Sequence, residues 1–361
     1  MTSLLSVVLG VFSYIIIGYI IKKLNIIPNA ITKKFDYLSF NILLPIALVV
    51  NFWLIKFPNA VIYNLIFAFF GAGINIIPNT IIKKFDYLSF NILLPIALIV
   101  NFWLIKFPNV VIYNLIFAFF GAGITVFIMG FLIGKKFYQF KTDDCALFGL
   151  GACFGNSVAF GIPLMYSILG PVNAMPYMIL VLFHGIIHFT YTTLIIENYR
   201  NRDQSNIIKI IKTIIGLTKN IVLFGMFVGL FLNYTETPFP ETLQNILKPI
   251  AKIALPTVLI SLGIALGGFK ITQGISYSVV LTGLKNFIHP LVAFILAKYI
   301  LHMSPLLVFI VTMAAALPSG SQTYYFSYRY NSLQNIISAN VVVSTFISFF
   351  TLSFLLLAFP Y

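Results

Sequence analysis

Apolar runs of about 20 residues, long enough for a helix to cross a bilayer, follow one another along almost the whole chain, separated by short basic connections. Nothing constrains the fold more. Sixty per cent of the 361 residues are apolar and only 8% are charged, against about 25% charged in an ordinary soluble domain. A water-exposed globule needs a polar coat that this chain cannot supply. Disorder, coiled coils, fibres and soluble enzymes are excluded, and a polytopic all-α membrane protein remains. The net charge of +14 is not that of a nucleic-acid binder, because the basic residues fall between the apolar runs, the pattern of a membrane protein's cytoplasmic loops.

The predicted spans are 3–21, 37–55, 59–76, 87–105, 109–133, 145–169, 173–196, 220–235, 246–269, 278–300, 304–326 and 335–358, about twelve in all. The first run has no preceding basic residue and is followed by Lys22 and Lys23, so it is expected to be a retained span rather than a signal peptide. Part of the number comes from a tandem duplication: residues 25–74 recur as 75–124 with 46 of 50 positions identical. The differences are Ala30/Thr80, Thr32/Ile82, Val49/Ile99 and Ala60/Val110. Each block carries two spans, so the extra copy leaves downstream orientation unchanged. The supernumerary pair is most simply the middle one, about 58–105.

Sixteen of the 22 Lys and Arg residues fall on one side of these spans. That side is expected to be cytoplasmic, with both termini outside, in a cell (inner) membrane. The connection 198–219 then lies inside. Ile207, Ile208, Ile211, Ile214 and Ile215 share one helical face opposite Lys209, Lys212 and Lys219, as in a helix on an anionic leaflet; a solvated linker is the plain alternative. This connection divides the chain into 1–197, which holds the duplicated block, and 220–361. Without the extra pair each half has five spans, an odd number, so the halves must insert in opposite directions. Prolines recur in matching places: Pro95 (and its copy Pro45) with Pro256, and Pro163 with Pro318. Inverted halves with matched helix interruptions are a transporter signature.

The segments KKFDYLSFNILLPIALIV, FGNSVAFGIPLMYSILG, GLKNFIHPL and AAALPSGSQTYYFSYRYNS resemble the auxin efflux carrier family, which includes plant auxin carriers and bacterial carriers of malonate and related carboxylates. The resemblance implies ten helices in two inverted five-helix halves, with two broken helices crossing near the midplane. It also implies elevator-type movement of a small organic anion. The extra helix pair departs from that plan.

Gly161 and Pro163 are expected to mark one helix break, and Pro318, Ser319 and Gly320 the other. A proline removes a helical hydrogen bond, and amides freed at half-helix N-termini suit a carboxylate. Asn156, Ser157, Ser321 and Gln322 add polar groups beside the breaks; helix–helix hydrogen bonding is their bland alternative. His184 and His188, four residues apart, can face one cavity, either as buried hydrogen-bonded groups or as substrate contacts. They lack the further ligands of a zinc site, and no metal or other cofactor is expected. Lys285 is the basic residue well inside a span; its side chain is expected to snorkel to the cytoplasmic interface, with attraction of the substrate as the rival role. Cys145 and Cys153 read as small buried hydrophobes.

All eight carboxylates fall at span ends or in loops, so coupling through a buried Asp or Glu is not expected, and uniport of the anion is. An integral-membrane enzyme would need a reactive constellation that these spacings do not offer, and a transport-inactive duplication product is a further alternative. The expected partners are the small organic anion, membrane lipids and a second copy in a homodimer.

Overall fold

The computed structural model describes residues 2–23, 113–200, 237–269 and 274–359, with isolated positions between 87 and 100 and between 205 and 235. The expected spans at 37–55 and 59–76 and the whole first copy of the repeat lie outside the described residues, as do most of 87–105, 198–219 and 220–235. Among the described residues the chain is all-helical.

The helices are α1 (Thr2–Lys23), α2 (Tyr113–Lys136), α3 (Thr142–Cys153), α4 (Ile162–Asn173, entered through a π-turn at Ser157–Gly161), α5 (Met175–Arg200) and α6 (Glu241–Gly268). After these come α7 (Ile275–Ile300, with π-turns at Leu284–Ile288 and Leu296–Ile300), α8 (Pro305–Ala316), α9 (Ser321–Tyr330) and α10 (Gln334–Ala358). Among the described residues five helical stretches are long and apolar enough to cross a membrane: Ser6–Lys23, α2, α5, α7 and α10.

These helices are apolar on both faces, which a water-soluble bundle does not tolerate. On α1, Val8, Val11, Phe12 and Ile15 are buried, while Leu9, Ile16 and Ile20 point outward. Phe117, Ile124, Ile128 and Leu132 form an outward stripe on α2, and Phe346, Phe350, Phe354 and Leu357 form one on α10. Outward apolar stripes on this scale suit lipid as the surrounding solvent.

Helix α1 packs on α6 through glycines. A Cβ added at Gly18 would strike the Ile260 carbonyl oxygen, and one at Gly263 the Ile15 carbonyl oxygen. At Gly267 it would lie 2.7 Å from Lys22 Cβ. The two backbones touch directly, the close approach that small residues allow between membrane helices.

One end of the molecule is fixed by polar contacts. Arg200 at the end of α5 donates to Asp143 at the start of α3 from Nε (2.8 Å) and Nη2 (2.6 Å), and from Nη1 to the Tyr330 carbonyl (2.9 Å) at the end of α9. Ser332 hydrogen-bonds Asp144. At the same end Tyr138 and Phe140, just after α2, pack edge-on and tilted against Tyr277 at the start of α7, with centroids 4.7 and 5.7 Å apart. Helices α2 and α5 therefore finish where α7 and α10 begin.

Candidate functional site

Two helices stop short at the centre of the molecule and restart. The chain leaves α3 at Cys153 and re-enters helix at Ser157; it leaves α8 at Ala316 and re-enters at Ser321. The two gaps meet. Gly155 and Ser319 form an isolated antiparallel β-bridge: the Asn156 amide donates to the Pro318 carbonyl at 2.8 Å and the Gly320 amide to the Phe154 carbonyl at 3.0 Å. Backbone groups that lose helical partners inside a membrane must find others, and here each gap satisfies the other.

This corrects two sequence expectations. Gly161 and Pro163 do not mark the first break, which lies at Phe154–Asn156. Pro163 follows directly on the π-turn Ser157–Gly161, whose altered hydrogen-bond spacing accommodates its missing N–H, and Gly161 is a packing residue, since a Cβ there would strike the Tyr177 hydroxyl. That hydroxyl donates to the Ser157 carbonyl at 2.5 Å. Secondly, the amides of Asn156, Ser319 and Gly320 are not free for an anion: the first and third make the bridge, and the Ser319 amide donates to Ser344 Oγ at 2.9 Å. Pro318 does lie in the second break, and Ser321 and Gln322 open α9 behind it.

Polar side chains surround the bridge. Asn156 is fully buried and neither its Oδ1 nor its Nδ2 has a hydrogen-bond partner; Gln322 Oε1 is likewise buried and unpartnered. Ser157 is 7% exposed. On the other side, Asn340 Nδ2 donates to the Gly151 carbonyl (2.9 Å), Thr282 to Asn340 Oδ1 (3.2 Å), and Asn286 Nδ2 to the Ser344 carbonyl (2.9 Å). This network ties α7 and α10 to the end of α3. Asn340 and Ser344 escape sequence reading because nothing in the spacing of α10 distinguishes them from interhelical glue.

Lys285 corrects a third expectation. It does not snorkel: it is fully buried, and its ammonium donates to the Ala315 carbonyl at 2.5 Å and to His289 Nδ1 at 3.2 Å. Its Nζ would lie 3.5 Å from a Cβ at Gly155, so the ammonium abuts the crossing itself. Among the described residues it is the one fully buried lysine or arginine, and no carboxylate pairs with it. A buried ammonium held only by a carbonyl and an imidazole is far from neutralised and makes an attractive centre for an anion.

His184 and His188 do share one cluster, joined by His289 from α7. His184 Nε2 donates to the Gly155 carbonyl (3.1 Å) and His188 Nδ1 to the His184 carbonyl (2.9 Å). Their rings pack around Phe119 and Phe154; the His184–Phe154 centroids are 4.2 Å apart and the His289–Phe119 centroids 5.9 Å. His289 was legible in principle, being four residues after Lys285 and hence on its face, but its meeting with α5 is a tertiary fact. The described residues contain no group of three or more His, Cys, Asp or Glu side chains that could hold a metal ion. Cys153 is buried with its Sγ 3.4 Å from the Tyr191 hydroxyl.

Comparison with known proteins adds three findings. A family model described as "Membrane transport protein" matches residues 60–356. A protein of Rhizobium meliloti (strain 1021) named "Putative malonate transporter" is 22% identical over 238 residues, 64% of this chain and 72% of the relative. An "Uncharacterized transporter" of Methanocaldococcus jannaschii is 20% identical over 224 residues, 60% of this chain and 70% of the relative.

Proposed function

The chain belongs to the auxin efflux carrier family of membrane transport proteins, and from that premise we propose that it carries small organic anions, carboxylates above all, by elevator-type alternating access. The observation that carries the proposal is the unpaired Lys285 ammonium against the crossing of the two helix breaks. A carboxylate there gains Coulomb attraction from Lys285 and hydrogen bonds from the Asn156 side-chain Nδ2, whose donors are otherwise unused. Ser157, Ser321 and Gln322 line the approach, and the N-terminus of α9 adds a dipole worth roughly 0.3–2 kcal/mol to an anion. Pro318, Ser319 and Gly320 hold the crossing in shape; Gly161 and Pro163 act at one remove, by seating α4 on α5. The malonate named for one relative makes short dicarboxylates the first candidates.

Opposite chain directions in α2–α5 and α7–α10 support the two inverted halves, here 1–197 and 220–361 with 198–219 on the cytoplasmic face. The dense α1–α6 contact through glycines supports a rigid pair against which the crossing unit slides. In this arrangement the basic end with Lys135, Lys136, Lys141, Arg200 and Arg329 faces the cytoplasm of a cell membrane, by the positive-inside rule.

Uptake of labelled malonate, succinate and acetate into proteoliposomes tests the proposal. Saturable uptake that is lost in Lys285→Gln is expected; no uptake of any carboxylate beyond that of empty liposomes would overturn it.

A further inference from the structure

Each histidine of the central cluster has one ring nitrogen committed and one idle. A carbonyl only accepts, so His188 Nδ1 carries a proton toward the His184 carbonyl, and His184 Nε2 carries one toward the Gly155 carbonyl. That leaves His188 Nε2 and His184 Nδ1 as bare lone pairs. The Lys285 ammonium donates to His289 Nδ1, which puts the His289 proton on Nε2. All three of these remaining nitrogens are buried and have no hydrogen-bond partner.

Two of them look at the same place. A Cβ on Gly123 of α2 would lie 2.8 Å from His188 Nε2 and 3.8 Å from His289 Nε2. The missing side chain of Gly123 thus leaves room where a lone pair from α5 meets an N–H from α7. A proton can be added at His188 Nε2 without breaking any existing hydrogen bond.

We propose that His188 Nε2, facing His289 across Gly123, is a proton-binding site coupled to the anion site at Lys285, so that the carrier moves a proton together with its carboxylate. This rests on the carrier function proposed above and replaces the uniport expected from the sequence. Among the described residues the titratable groups facing the site are His184 and Tyr191 on α5, Lys285 and His289 on α7, and Cys153 on α3; α2 contributes Phe119, Phe120 and Gly123. No carboxylate is among them. An imidazolium at His188 and a bound carboxylate attract one another through a medium of low dielectric, so each favours the other's arrival. A short dicarboxylate brings two negative charges, which one ammonium and one imidazolium together balance. The proton enters from the medium on one side and leaves to the other; no bond to the substrate is made.

The test uses proteoliposomes of the full chain, a potassium–valinomycin clamp, labelled malonate and a trapped pH dye, read as protons delivered per malonate. About one proton per malonate is expected for the wild type, falling toward none in His188→Gln and in Gly123→Ala, whose methyl group would occupy the space before His188 Nε2. Malonate uptake with no accompanying proton would overturn the coupling and leave the carrier standing. A ratio unchanged in both variants would also overturn it, because the proton would then ride on malonate itself. Absence of uptake of malonate, succinate and acetate alike would overturn the carrier function and the coupling together.

Discussion

Replacing Lys285 by methionine separates what this residue does for the fold from what it does for an anion. Its ammonium is fully buried and held by the Ala315 carbonyl at 2.5 Å and His289 Nδ1 at 3.2 Å. Hydrogen bonds to a charged group are worth about 1.5–3 kcal/mol each, and their loss leaves two buried acceptors unpaired. Against that, burying an ammonium costs several kcal/mol, and methionine fills nearly the same volume with a flexible apolar chain. The two effects are of similar size, so Lys285→Met should melt within about 2 kcal/mol of the wild type. Anion binding has no such compensation. A carboxylate about 4 Å from the ammonium gains about 4 kcal/mol at an effective dielectric of 20, nearly three powers of ten in affinity. The variant should therefore purify as folded protein and take up malonate at least about 100-fold less efficiently. Thermal unfolding in detergent and initial uptake rates in proteoliposomes measure the two quantities. Wild-type uptake by a well-folded Lys285→Met protein would refute the assignment of the anion to this crossing.

Three further predictions test the frame around the site. Gly263→Ala drives a methyl group into the Ile15 carbonyl; overpacking of this kind costs about 1–3 kcal/mol, visible as a lowered melting temperature. Gly161→Ala should be destabilising by a similar amount because its methyl meets the Tyr177 hydroxyl and Leu317 Cδ1; Tyr177→Phe in the same chain should restore only part of the loss, because it removes the oxygen but leaves the ring carbon and Leu317 in place. Arg200→Ala leaves Asp143, whose side chain is 10% exposed, without its counter-ion; with Arg200 itself 35% exposed, solvent screening limits the cost to about 1–3 kcal/mol, and Arg200→Lys should recover only part of it.

The long spans were legible because a membrane imposes length and apolarity on every crossing segment: the predicted 109–133, 173–196, 278–300 and 335–358 fall on α2, α5, α7 and α10 to within a few residues. The breaks were legible in kind but not in place. Proline signals a lost hydrogen bond, yet Pro163 is accommodated just after a π-turn, and the first break falls seven or more residues earlier, at Phe154–Asn156. There the cause is the partner strand around Ser319, which no local pattern in 154–156 announces. Lys285 was misread for the same reason. Snorkelling is the default for a lone lysine in a span, and the Ala315 carbonyl, near the end of α8 before Pro318, together with His289 Nδ1 makes an interior position tenable. The histidine cluster joins α5 and α7 across about 100 residues of sequence, as the numbers of His188 and His289 state. Its organising element is Gly123, a residue whose contribution is the side chain it lacks.

The central claim, that a carboxylate anion is seated where the two broken helices cross, is tested most directly by isothermal titration of the purified chain with malonate and with its uncharged analogue malonamide. The two ligands share size and shape; malonamide is uncharged and presents an N–H donor where each carboxylate of malonate presents a second acceptor oxygen. Saturable malonate binding that Lys285→Met removes, with no heat of binding from malonamide, is the predicted result. Equal binding of acid and amide, or malonate binding undiminished in Lys285→Met, would contradict it.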